Sequence, residues 1–402
     1  MGMHKLFVED LDVKGKRVIV RVDFNVPLNE KGEITNDNRI VASLPTINYL
    51  VNNGAKVILM SHLGRPKGEK KPEFSLRPVS EALAEKVDAR VGFVEDCVGP
   101  EVEKAVSELS DGEILLLENL RYYKEEKKND PEFAGKLARL ADLYVNDAFG
   151  TAHRAHASTE GITKYMDECA AGYLIKKEIE YIGGALENPQ KPFAAILGGA
   201  KISGKIDVIR NLLGRVDVLC IGGGMAYTFF KAMGLEIGNS LLEEDKIELA
   251  GELMKEAETS STNLVLPVDC AAGKEFSNDT EKTIVSRDKI PADLECMDIG
   301  PETIKLFSDK IRSAKTVVWN GPMGVFEFSK FADGTNAVAE VLAESTDNGA
   351  ITIIGGGDSA SAIHQAGLTD RMSHISTGGG ASLEYLEGKE LPGIAALSDR
   401  VV

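Results

Sequence analysis

Short β-branched runs that break into glycine clusters recur along this chain, and they narrow the folds open to it. The clearest is ITIIGGGDSA at 351–360, where an apolar run gives way to three glycines, an acid and a hydroxyl. Similar breaks stand at 198–200, 222–224 and 378–380. Glycines let a backbone approach an anion with no Cβ in the way, and a helix that follows offers the positive end of its dipole. Loops of this kind act together when their strands lie side by side and turn at the same carboxyl edge. The pattern predicts an α/β sheet with a rim suited to the phosphates of a nucleotide, and Asp358 is placed there to hold magnesium.

The rest of the chain repeats the alternation. Strand-like runs at 18–22, 57–60, 114–117 and 143–145 are separated by helical segments such as 80–87, 100–109 and 131–140. A second series runs through 194–197, 218–221, 264–267, 317–319 and 351–354. At 402 residues the chain exceeds one ordinary core. The expected architecture is α/β, with two similar-sized doubly wound domains, each a mostly parallel sheet flanked by helices, joined by a helical hinge. The domains are placed at 1–172 and 189–390, with the amphipathic stretch LIKKEIEYIGGALENP marking a connecting helix over 173–188. No repeat of residues accompanies the repeated architecture.

Charge and cysteine usage exclude several classes. The net charge of −17 argues against a general binder of nucleic acid or anionic membrane, so an anionic ligand must be drawn by a local basic cluster. The five cysteines are scattered and never in CxxC spacing, which fits reduced thiols and a cytoplasmic setting. MGMHKLFVEDL lacks an apolar signal core, and no run is long enough to span a bilayer.

A basic cluster does gather in the first half. Arg21, Asp23 and Asn25 stand in RVDFNVP, Arg39 in a loop after the first strand, His62 and Arg65 in SHLGRP, Arg121 in ENLRYY, and His153, Arg154 and His156 in GTAHRAHAS. One arginine in such a place is usually a surface residue with an acidic partner. Five at corresponding strand ends suit bidentate recognition of a small phosphorylated carboxylate. HxxH without a third ligand at zinc spacing is a poor metal site, so no zinc is assigned.

The second half offers two near-misses. From Gly199 to Lys205 the chain satisfies G-x-x-x-x-G-K, but Ile206 stands where a P-loop needs Ser or Thr for magnesium. Lys201 and Lys205, four apart, would share one face of a helix and reach successive phosphates. The stretch 355–360 matches G-x-G-x-x-A, yet the acid expected about twenty residues later to hold a ribose is replaced by Thr377 and glycines. An acid within the turn would also repel a pyrophosphate unless a metal intervenes, which favours a magnesium nucleotide over NAD. Glu327 in NGPMGVFE is placed to accept from ribose hydroxyls, with Pro322, Met323 and Val325 lining an adenine slot.

Taken together, RVDFNVP, DNRI, SHLGRP, NDAFGTAHRAHAS, GGAK, IGGGMAYTF, VWNGPMGVFE, IGGGDSA and STGGGASLEYLEGKELPG closely resemble the phosphoglycerate kinase family in order and spacing. That family moves a phosphoryl group reversibly between 1,3-bisphosphoglycerate and ADP, giving 3-phosphoglycerate and ATP, in glycolysis and gluconeogenesis. The resemblance implies that 3-phosphoglycerate is held by Asp23, Phe24, Asn25, Arg39, His62, Leu63, Gly64, Arg65, Arg121 and Arg154. It places the nucleotide on Gly199, Lys201, Lys205, Gly223 and Gly224, on Cys296, Asn320, Pro322, Val325 and Glu327, and on Gly356, Gly357, Asp358 and Ser359. Mg2+ would sit on Asp358. Arg39, Lys201 and the helix start at Gly378, Gly379 and Gly380 would act on the transferring group, and 391–402 would return to the first domain. Two departures stand out: Gly204 replaces an acid, which loosens the turn it opens, and Cys296 replaces a glycine beside the adenine pocket. The acceptor is an ionised carboxylate, so the expected mechanism is domain closure and charge neutralisation without a general base, in a cytoplasmic monomer. A dehydrogenase would transfer hydride instead, and a non-catalytic nucleotide binder would show binding without turnover.

Overall fold

In the computed structural model, which describes residues 2–400, the apolar runs form two six-stranded parallel sheets. The first contains β1 (Arg17–Arg21), β2 (Lys56–Met60), β3 (Val91–Val94), β4 (Ile114–Leu117), β5 (Leu143–Asn146) and β6 (Cys169–Ala171) in the order β3-β4-β2-β1-β5-β6. Arg21 at the end of β1 pairs with Met60 on one side and Asn146 on the other. Val18, Val20, Val57, Leu59, Ile114, Leu116 and Val145 join one buried cluster. Ile19, Ile58 and Leu115 are also buried between them. A parallel sheet covered on both faces needs such unbroken apolar strands. β3 and β6 had no comparable signal: the residues of VGFV are only half-buried, and β6 is the short CAA.

The second sheet contains β7 (Phe193–Leu197), β8 (Val218–Ile221) and β9 (Asn263–Val265), then β13 (Thr316–Asn320), β14 (Ile351–Gly355) and β15 (His374–Ile375). Between β9 and β13 the chain builds a separate antiparallel sheet from β10 (Asp269–Gly273), β11 (Thr283–Ser286) and β12 (Glu295–Ile299). The parallel order is β15-β14-β13-β7-β8-β9. Ala194, Ile196, Val317, Trp319 and Ile354 anchor its core beside Phe307 and Leu342.

Residues 2–180 with 390–400 form one compact unit, and Tyr181–Lys389 form the other. The stretch expected as one connecting helix is an α-helix at Tyr173–Glu178, a π-turn at Ile179–Gly183 and a further α-turn at Gly184–Glu187. The division between units falls inside the π-turn. From Leu391 to Arg400 the chain lies on the first unit. Lys5 Nζ donates to the carbonyls of Ala395 and Leu397 at 2.9 and 2.8 Å, and the Gly393 N–H donates to the Ala152 carbonyl at 2.8 Å. Residues 401 and 402 of the expected 391–402 segment lie outside the described residues.

Each sheet has one strand from which the chain departs in both directions. In the first, β1 lies between β2 and β5; in the second, β7 lies between β8 and β13. The crevice beyond the carboxyl end of such a strand is the standard ligand position in an open α/β sheet.

Candidate active site

At the carboxyl edge of the first sheet the loops after β1, β2, β4 and β5 converge. Asp23 and Asn25 follow β1. Arg39 lies in the first turn of the helix Asn38–Asn52, not in a loop as the sequence suggested, because the Asn36 side chain accepts from the Asn38 N–H at 2.9 Å and closes the turn earlier. Arg39 Nη1 contacts both Asp23 carboxylate oxygens at 2.7 Å. The Asn25 side chain accepts from the Gly64 N–H at 2.8 Å, and the Gly64 carbonyl accepts from Arg121 at 3.0 Å. Two expected contacts change character: Phe24 and Leu63 point into the core, with 0% and 2% of their surface exposed, so only their backbone is left for a ligand.

The cluster has the electrostatics of an anion site. A cavity of about 680 Å³ is lined by Arg65, Arg121 and Arg154, with Lys67, Lys124, Lys127, Lys128, His156 and Tyr123, and no carboxylate lines it. Arg121 is largely buried and its Nε has no protein partner. Burial, then repulsion from Arg21, pushes this guanidinium down to about 10. Burial also lowers both imidazoles, His62 well below its ordinary range and His156 to about 4, with Arg21 and Arg121 adding to each. Both rings are therefore neutral near pH 7 and act as hydrogen-bonding groups rather than charges.

In the second unit the loops after β7, β8 and β13 are stitched backbone to backbone. Gly198 and Gly199 donate to the Asn320 and Pro322 carbonyls at 3.0 Å each, and Gly223 donates to Met323 at 3.1 Å. Gly223 has φ +70°, and a Cβ there would meet the Gly199 backbone at 2.6 Å. Only glycine fits that approach. Gly356 has φ +89° and opens the helix Gly357–Gln365, whose first N–H groups have no partner within the helix. Ser359 is buried with its hydroxyl accepting from the Gly321 N–H at 2.8 Å, so its backbone N–H is the group it can offer a phosphate.

The two lysines are not on one α-helical face. A 3-10 turn, Ile202–Gly204, separates them, and the α-helix begins only at Ile206. A Cβ at Gly204 would meet nothing, so the turn is not held by packing there. Lys201 is exposed on extended backbone. Lys205 is half-buried, donates to the Asn320 side chain, and is pushed down to about 8 by burial against the opposing attraction of Glu387 and Asp358.

A cavity of about 480 Å³ joins Gly199, Gly223, Gly224, Cys296, Pro322, Val325, Glu327 and Asp358. Tyr227, Asn239, Leu241, Phe276, Glu295 and Met297 line it too, and sequence reasoning missed them. Phe276 sits 62% exposed in a turn after β10, so no periodic pattern marked it. Gly378 and Gly379 precede the helix Gly380–Leu386, with Gly379 at φ +52° and the Gly378 N–H donating to Ser376 Oγ at 3.2 Å. They are not among the residues lining this cavity.

Asp358 is exposed at the second residue of its helix, and among the described residues no three His, Cys, Asp or Glu side chains cluster to hold a metal. Glu295, Glu327 and Asp358 all line the glycine-rimmed cavity, and Asp358 alone of them stands at a helix start; a carboxylate placed so fits magnesium, which keeps waters and takes its other oxygens from a substrate. Renumbered in chain order, the second parallel sheet reads 3-2-1-4-5-6, the order of dinucleotide-binding folds. In those folds the glycine fingerprint follows the first strand. Here the G-x-G-x-x-A stretch follows β14, and β7 is followed by GGAKIS.

Comparisons with known proteins give the same assignment. A family model described as phosphoglycerate kinase matches residues 8–389. The phosphoglycerate kinase of Clostridium novyi is 59% identical over 402 residues, covering 100% of both chains. The cytosolic phosphoglycerate kinase of Triticum aestivum is 58% identical over 97% of each. Among solved structures, phosphoglycerate kinase from Coxiella burnetii superposes with a TM-score of 0.90 at 42% identity, covering 98% of each chain. The Pyrococcus horikoshii enzyme gives 0.81 at 34% identity over the same shares. The chain belongs to the phosphoglycerate kinase family.

Proposed function

We propose that this enzyme works between 3-phosphoglycerate held on the first unit and a magnesium nucleotide held on the second, in the cytoplasm and as a monomer, within glycolysis and gluconeogenesis. The observation that carries the reading is the separation of chemistries. One carboxyl edge concentrates arginines and lysines around a cavity without acids. The other combines glycine loops and a helix start with Asp358 exposed in that helix's first turn.

Arg65, Arg121 and Arg154 face the phosphate of 3-phosphoglycerate, and Asp23, Asn25, Arg39 and His62 orient its carboxylate end. Gly199, Gly223, Gly224 and the first turn of Gly357–Gln365 receive the nucleotide phosphates with Lys201 and Lys205. Glu327 takes ribose hydroxyls, and Cys296, Pro322 and Val325 with Phe276 and Leu241 enclose the base. Asp358 holds Mg2+, which supplies charge neutralisation of the phosphates when bound.

The nucleophile in the ATP-consuming direction is already ionised, so no proton has to be removed. The protein's task is alignment and compensation of charge. Arg39 offers a planar fork that spans a carboxylate oxygen and a phosphoryl oxygen, Lys201 is an exposed cation free to reach the transferring group, and the N–H groups at Gly379 and Gly380 await it as it moves, that of Gly378 being held by Ser376 Oγ. Because the two ligands bind different units, transfer requires domain closure.

The test is a coupled assay of ADP formation. Activity should require ATP, 3-phosphoglycerate and magnesium together, and Arg65→Ala should raise the KM for 3-phosphoglycerate while leaving that for ATP unchanged. An equal rise in both would refute the division of sites.

A further inference from the structure

Arg21 closes β1 wholly buried, and the substrate assignment gives it no task. Its Nε donates to Ser158 Oγ at 2.9 Å, Nη1 to the Val22 carbonyl at 2.5 Å, and Nη2 meets Nδ1 of His62 at 2.9 Å. Its charge is answered at one remove. The Ser158 hydroxyl donates to Glu126 at 2.6 Å and the Ser158 N–H donates to the same carboxylate at 2.8 Å. Glu126 is itself fully buried. A chain of side chains therefore runs from the turn Lys124–Lys127 through the loop after β5 and the end of β1 to His62 in the loop after β2.

A guanidinium donates and never accepts. Nδ1 of His62 is thus the acceptor, and the ring's proton is on Nε2. Adding a second proton would set N–H against N–H at a buried position that also faces Arg121 from beyond β4, Arg39 from the helix Asn38–Asn52 and His156 from beyond β5.

We propose that Arg21 is a positioning residue that locks His62 as the neutral Nε2–H tautomer, giving the 3-phosphoglycerate site one fixed, uncharged donor among its arginines. The inference rests on the substrate assignment above. A neutral donor orients a ligand oxygen without adding to the positive charge that binds the ground-state carboxylate, and such added ground-state binding would not raise turnover. Glu126 and Ser158 hold the guanidinium in place, so they act one step further back.

Long-range 1H–15N spectra of the histidine-labelled protein test this directly, with the His62 signals assigned by their loss in His62→Gln. The wild-type protein should show His62 protonated at Nε2 alone from pH 6 to 8, without titrating. An Nδ1–H tautomer or an imidazolium in that range would overturn the proposal without any variant having to fold. Adding 3-phosphoglycerate should shift those signals; if the tautomer is as expected but the ligand leaves it untouched, the substrate assignment fails and the tautomer lock stands. Arg21→Met should let His62 titrate and raise the KM for 3-phosphoglycerate about tenfold at pH 8, the scale of one charged hydrogen-bond network. That KM should fall again toward pH 6 as the freed ring gains charge, while kcat changes little. Arg21→Gln, which keeps a donor for Nδ1, should restore most of the wild-type profile. A KM raised equally at pH 6 and pH 8 in Arg21→Met, with His62 still not titrating, would mean that Arg21 is merely structural.

Discussion

At the scale of single residues, Arg39 and Lys205 make opposite demands on the protein. Arg39 has a side chain 46% exposed and one carboxylate partner, Asp23, so its removal disturbs little packing. Arg39→Ala should lower kcat about a hundredfold or more, the cost of losing one transition-state charge contact, with the melting temperature almost unchanged. Arg39→Lys should lose turnover much more than 3-phosphoglycerate affinity, because an ammonium cannot reproduce the fork. Steady-state kinetics beside a thermal melt check both; near-normal turnover, or loss only in step with melting, would make Arg39 a binding or structural group. Lys205 is instead held down to about 8 by burial. In the free enzyme its ammonium is lost as pH rises through that value, so the KM for ATP should climb above pH 8. Lys205→Arg keeps its charge throughout and should flatten the climb, and superimposable pH profiles for the two proteins would contradict this. Lys201→Ala should act mainly on kcat, unlike Lys205→Ala, which should act mainly on the KM for ATP.

At the scale of elements, the fold depends on polar groups that cap what the apolar runs begin. Asp147 is fully buried after β5, and its carboxylate accepts from the N–H groups of Leu174 and Ile175 at 2.9 and 3.4 Å in the first turn of Tyr173–Glu178. Burial pushes it up to about 7 against those donors and the Thr46 hydroxyl. Between the unfolded value near 4 and that folded value the native state binds the extra proton, so this group's contribution to stability falls as pH rises from 4 to 7. Asp147→Asn keeps the acceptor and removes the titration. Its urea midpoint should therefore improve relative to wild type on going from pH 5 to pH 8, and a constant difference would show that Asp147 does not titrate there. Such caps were not legible in the sequence, because Asp147 and its helix are joined only by folding. The buried parallel strands were legible, since β1, β2, β4 and β5 must be apolar on both faces. The β10-β11-β12 sheet was not: its central strand, DCAAG, carries small side chains without a β-branched run, and with it went Phe276 and its part of the cavity lining. The glycine loops and most of the strand-end arginines were legible as residues that gather at two cavities, whereas Arg21 looked like one more of those arginines until its three buried partners were visible.

At the scale of the whole molecule, a chain of net charge −17 still gathers Arg65, Arg121 and Arg154 with four lysines around one cavity of its first unit. The cavity edged by Arg65, Arg121 and Arg154 belongs to one unit, and the cavity edged by Gly223, Glu327 and Asp358 belongs to the other. No described helix is long and apolar enough to cross a membrane. On the proposed function these two edges serve one phosphoryl transfer, and occupation of both should drive the units together. Each ligand contributes its own differential affinity for the closed arrangement, so neither alone should complete the shift. Small-angle scattering of the free enzyme, of each single-substrate complex and of the complex with both 3-phosphoglycerate and a non-hydrolysable magnesium nucleotide measures this directly. The radius of gyration should be smallest with both ligands, and each ligand alone should give a value between that and the free enzyme; a single-substrate complex as compact as the doubly occupied one would contradict joint closure.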